Sequence, residues 1–180
     1  MLELAFVFLS GLLVSLTDCF SDKKNKLGYI TGLGFGIIIA ILISQGGPAA
    51  TILAGGVLGV LLAGKIDSKL HLTGGLAGAI TLGILNLPEL NWRLAVIFGL
   101  AGFTDEFLDE KLTRKKLLIT RPLLPLAALI TSYLTGEWLY FLTIALFDTG
   151  YFLGHKFDSL KPYKRRKKIN KKLIPNQPRI

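Results

Sequence analysis

Residues 17–24 read TDCFSDKK, and residues 104–111 read TDEFLDEK. Both fit T-D-x-F-x-D-x-K, and they stand 87 positions apart. A second pair follows in the same order. Residues 59–68 read GVLLAGKIDS and residues 150–159 read GYFLGHKFDS, with five identities in ten and an offset of 91. The economical reading is one unit duplicated within a single polypeptide. The repeated residues are mainly acidic and basic, whereas the sequence between them is mainly hydrocarbon.

That hydrocarbon sets the class. The chain has 180 residues, 51% of them hydrophobic, and a mean hydropathy of +0.54. A soluble domain of this length rarely needs so much apolar sequence. The apolar residues fall into seven blocks, about 2–17, 28–45, 48–64, 72–88, 93–108, 118–134 and 137–155. Each approaches the length that crosses a bilayer as a helix. Charged clusters close the blocks and leave their middles free, Asp148 excepted. The pattern predicts an all-α integral membrane protein with about seven transmembrane helices, located in the cell membrane.

Lysine and arginine set its orientation. The 22–27 turn carries three, the 65–71 turn two, the 109–121 stretch five, and the sequence after 155 ten. The alternate turns carry only Arg93, so 20 of the 21 basic residues lie on one side. That side is assigned to the cytoplasm, with the N-terminus outside. The net charge of +9 follows mostly from this asymmetry. The run Lys164–Lys168, KRRKK, reads as a topology anchor or a contact with anionic lipid rather than a nucleic-acid site. No positive stretch precedes the first block, which is read as a retained span and not a signal peptide. With one cysteine, Cys19, and two histidines, His71 and His155, an ordinary Cys/His zinc site is not expected.

The duplication organises the rest. Residues 1–70 form the first three-helix repeat, 71–92 a linker helix, and 93–160 the second repeat. Residues 161–180 form a basic cytoplasmic tail, expected to be flexible. An offset of four spans preserves orientation, so the copies are parallel repeats about an axis along the membrane normal. This 3+1+3 layout resembles that of the SWEET-type sugar transporters. Small-residue stripes at Gly28/Gly32/Gly36, Gly55/Gly59/Ala63 and Gly75/Ala79/Gly83 predict close helix packing.

The spacing of the repeated acids predicts a site. Asp18 and Asp22 are four apart, as are Asp105 and Asp109, so each pair shares a face at a cytoplasmic helix end. Asp67 and Asp158 come from the second motif. Six carboxylates on one mouth would suit a hard divalent cation, magnesium above all. Lys65, Lys69, Lys111, Arg121 and Lys156 lie among them and would suit phosphate oxygens. Asp148 lies about 12 Å inside the Lys156 boundary, at about 1.5 Å per residue. An acid at that depth is costly and usually faces a polar interior. His155, on the same face, is a candidate proton carrier. Asp148 and His155 are therefore the expected catalytic pair.

Two family resemblances rest on these residues. The paired D-x-x-x-D motifs at Asp18/Asp22 and Asp105/Asp109 resemble the Asp-rich motifs of UbiA-type prenyltransferases. That likeness implies a prenyl diphosphate held through magnesium. Residues 102–129, GFTDEFLDEKLTRKKLLITRPLLPLAAL, resemble the G-F-x-D-D segment of polyprenyl-phosphate sugar-phosphate transferases, with Asp105-Glu106 in place of the Asp-Asp pair. Both imply a metal-bound phosphate on a lipid. The leading expectation is a magnesium-dependent enzyme acting on a phosphate- or diphosphate-linked isoprenoid lipid, with membrane lipids as surroundings and no nucleic-acid partner. The alternatives are a small-solute or cation transporter or channel built on the repeats, and a non-catalytic membrane scaffold. The crowding of ionisable residues on one face favours one-sided chemistry over transport.

Overall fold

Seven α-helices and no strand occupy the described residues of the computed structural model. These residues are 2–66, 68–112 and 122–159, with side chains left aside at 109–112 and 157–159. The helices are α1 (Leu2–Asp22), α2 (Leu27–Ser44), α3 (Gly47–Leu62), α4 (Lys69–Leu85), α5 (Trp92–Leu112), α6 (Leu123–Thr135) and α7 (Leu139–Ser159). The all-helical expectation is met. Each expected block contains one helix, and α1 and α5 continue through the T-D-x-F-x-D motifs to their ends. By length and composition α1 and α2 can each cross a membrane, while α3, α4 and α6 are apolar but shorter.

The ends are set by local chemistry. Lys24 takes a left-handed φ of 51°, and Asn25 N–H reaches back to Phe20 O at 2.9 Å. This closes α1 as a left-handed C-cap does. Asn25 Oδ1 then accepts from Leu27 N–H at 3.1 Å at the start of α2. Gly46 has φ 74° and makes the two-residue turn into α3, which residues with a Cβ adopt only under strain. Pro122 stands at the N-cap of α6, where its missing N–H costs least.

Packing runs in three main seams: α1 against α7, α2 against α4, and α3 against α5, with α1 also resting on α2. Glycine permits the closest of these. A Cβ at Gly55 would lie 2.7 Å from Ala95 O and 3.2 Å from Gly99 N, and one at Gly59 would lie 2.8 Å from Gly99 O. On the other side, a Cβ at Gly150 would collide with Phe8 O and lie 3.0 Å from Leu12 N, and one at Gly154 would lie 3.1 Å from Leu12 O. The two sets of contacts correspond. Phe8 and Ala95 stand 87 positions apart, as do Leu12 and Gly99. Gly55 and Gly150 stand 95 apart, as do Gly59 and Gly154. The contacts therefore pair α3 with α7 one helical turn away from the offset of 91 that the sequence motifs suggest. In α4 the stripe that meets α2 is Gly74/Gly78, not Gly75/Ala79/Gly83. Gly74 and Gly78 approach Gly32 and Gly36, while Gly83 has nothing within 4 Å.

Polar and small residues share the interior with apolar ones, and large apolar side chains also cover the outside. Ser10, Ser15, Thr17, Thr51, Thr131, Ser132 and Thr143 are buried, together with small residues such as Ala40, Ala49, Ala50, Ala95 and Ala128. Meanwhile Leu72, Leu76, Ile80 and Ile84 form an exposed row along α4, and Ile30, Leu33, Ile37 and Ile41 line the outside of α2. Most of the buried hydroxyls bond their own helix. Ser10 donates to Val7 O at 2.7 Å, Thr51 to Gly47 O at 2.9 Å and Thr143 to Leu139 O at 2.7 Å. Two apolar clusters complete the interior. Val7, Leu42, Ile43, Leu53 and Ala54 form one, and Ile52, Phe98, Ala128, Tyr140 and Ile144 the other.

Candidate functional site

Ser68 opens α4, and its Oγ accepts the His71 backbone N–H at 3.2 Å. An N-cap hydroxyl is a favoured start for a helix. The three-residue spacing also brings the imidazole over the cap, so Ser68 Oγ lies 2.9 Å from His71 Nδ1. The other ring nitrogen, Nε2, lies 2.8 Å from Asp18 Oδ1 on α1. Tyr151 on α7 donates its phenolic hydroxyl to Asp18 Oδ2 at 2.8 Å. A chain of four side chains thus joins α4, α1 and α7. With the ring proton on Nε2, pointing at the carboxylate, Nδ1 is left to accept the Ser68 hydroxyl. This tautomer is inferred from the partners. The Asp18 side chain is 35% exposed and that of His71 18%, so solvent reaches the carboxylate end.

Asp105 occupies the same motif position as Asp18 and is used differently. Its Oδ1 accepts from Leu123 N–H at 3.0 Å, and its Oδ2 from Leu124 N–H at 2.8 Å. It therefore caps α6, whose first donors have no helical partner. Asp105 and its neighbour Glu106 are both buried.

The remaining expected residues are dispersed. Asp22 is exposed at the end of α1, and His155 and Lys156 are exposed on α7. Lys65 is half-buried in the turn after α3. Asp148 is half-buried on α7, one turn below Tyr151. Asp67 and Arg121 lie outside the described residues, as do the side chains of Asp109, Lys111 and Asp158. No group of three or more His, Cys, Asp or Glu is arranged to hold a metal ion among the described residues. Asp18 lies on α1 and Asp105 on α5, two helices that share no extensive interface. Hydrogen bonds to His71 and Tyr151 engage both Asp18 oxygens, and backbone donors engage both of Asp105. Among the described residues, Asp18 and Asp105 belong to no shared metal-ligand cluster.

Sequence reasoning passed over Ser68, His71 and Tyr151. Two signals were available. Ser68-Lys69-Leu70-His71 has capping-box spacing with His in the Glu position, and Tyr151 shares the α7 stripe of Asp148 and His155. Comparison with protein-family models, curated proteins and solved structures returned no match for this chain.

Proposed function

We propose that this chain is a multi-pass membrane protein that acts on a phosphate-bearing lipid at its lysine-rich, cytoplasmic end. The side-chain distribution supports the membrane part. Hydroxyl and small side chains pack inside beside an apolar core, while rows of Leu and Ile on α2 and α4 face outward, as expected where the surrounding solvent is hydrocarbon. The 3+1+3 duplication belongs to the same proposal. It is supported by the corresponding glycine contacts of α3 with α5 and of α7 with α1.

One observation carries the chemical part: the Ser68–His71–Asp18–Tyr151 chain. A neutral imidazole fixed by a carboxylate on one nitrogen presents a lone pair on the other, which is how a general base is held. In the free protein the Ser68 hydroxyl occupies the position that an attacking hydroxyl would take. His71 Nδ1 would accept that hydroxyl's proton as its oxygen bonds to phosphorus. The bond from phosphorus to the leaving oxygen then breaks, and the proton passes to that oxygen. Asp18 stabilises the imidazolium, and Tyr151 holds Asp18. The isoprenoid nature of the lipid rests on the two motif resemblances alone.

The test uses the full chain in phosphatidylcholine vesicles containing a polyprenyl phosphate or diphosphate, with lipid products separated by chromatography. His71→Gln and Asp18→Asn are expected to lower turnover by about 100-fold or more, and Tyr151→Phe by less. Full activity in His71→Gln, or no turnover by the unmodified chain, sinks the catalytic reading. A rate unchanged by EDTA removes magnesium from it.

A further inference from the structure

A groove of about 310 Å³ is lined by Ser21, Lys24, Asn25, Lys26, Tyr29, Lys69 and Leu70. It is formed where the α1–α2 turn meets the start of α4. Its walls are fixed by the chain itself. Lys24 and Asn25 N–H close the end of α1, Asn25 Oδ1 holds the start of α2, and Gly28 gives Leu70 room to approach α2. Three lysines line this groove and, among the described residues, no carboxylate does. Lys24, Lys26 and Lys69 are exposed, and none is ion-paired among the described residues. Like charges that line one groove repel one another, and an anion between them relieves that repulsion.

We infer that this groove binds the phosphate head group of an anionic membrane lipid, an inference that rests on the membrane reading above. The surroundings select a lipid over a soluble phosphate. Tyr29 lines the groove, and an amphipathic ring of this kind settles at the head-group level of a bilayer. Leu27, Ile30 and Leu33 continue outward from it as an exposed apolar track on α2. A phosphate among the lysines therefore has its hydrocarbon directed along that track.

The experiment is native mass spectrometry of the full chain released from phosphatidylcholine nanodiscs containing dioleoyl phosphatidic acid. The unmodified protein is expected to retain one phosphatidic acid. The triple variant Lys24→Gln, Lys26→Gln, Lys69→Gln is expected to retain it about 100-fold more weakly, each basic residue at an anionic membrane surface adding roughly fivefold. The tail variant Lys167→Gln, Lys168→Gln is expected to retain it normally, as is His71→Gln, which separates binding from turnover. Equal retention by the triple variant overturns the site. Displacement of the lipid by millimolar inorganic phosphate overturns the lipid assignment in favour of a soluble anion. A chain that fails to insert into nanodiscs overturns the membrane reading instead.

Discussion

Asp18 and Asp105 share a motif position and have separate partners. The spacing D-x-x-x-D puts the members of each pair on one face of a helix, because residues four apart share a face. It cannot say what comes to meet them. For Asp105 the partner is the backbone of α6, 18 and 19 residues on. For Asp18 it is a tyrosine 133 residues away and a histidine on α4. Pairings of that kind depend on three-dimensional packing and leave no trace in local spacing. The difference is measurable. Asp105→Ala leaves two partly buried N–H groups without their acceptor and is expected to destabilise the protein by about 1–2 kcal/mol. Asp22→Ala removes an exposed carboxylate and should change stability little. Thermal unfolding of the two variants in detergent checks the contrast, and equal midpoints would refute the capping role.

At the scale of elements, the apolar blocks revealed the helices because hydrocarbon runs bounded by charge have few other solutions in a chain this apolar. The seams were legible only in part. Gly28/Gly32/Gly36 and Gly55/Gly59 do face partner helices, whereas the α4 stripe was misjudged by one position. Sequence shows that small residues recur every fourth position, but two such rows on α4 competed and packing against α2 chose Gly74/Gly78. The one-turn difference between motif offset and contact offset has a similar origin. Charged motifs near a helix end can be matched by residue type, while register is decided by which glycine admits a neighbouring carbonyl. Gly150→Leu would drive a side chain into Phe8 O and force α1 from α7. A Cβ at Gly83 meets nothing within 4 Å. The first is expected to cost at least about 1–3 kcal/mol and to abolish the monodisperse peak in size-exclusion chromatography, and the second to leave it intact.

Across the whole molecule the two ends of the bundle differ in kind. At one end the α1–α2 turn and the start of α4 meet around three lysines and Asp18. At the other, Gly46 of the α2–α3 turn lies against Pro88 and Glu89 of the α4–α5 segment, which carries no lysine. Positive charge next to a membrane span is retained on the cytoplasmic side, so the lysine-rich end defines the proposed orientation. The argument has a direct test, because the chain contains one cysteine. With Cys19→Ser as background, single cysteines at Asn25, Glu89, Glu137 and Lys164 report each end to a membrane-impermeant maleimide. Cysteines at 89 and 137 are expected to label in intact cells. Those at 25 and 164 should label only after permeabilisation. Labelling at 25 from outside would invert the molecule and remove the phosphate-lipid site from the cytoplasmic leaflet. Labelling of all four in a soluble fraction would mean that the exposed leucines and isoleucines of α2 and α4 face another protein surface instead of lipid.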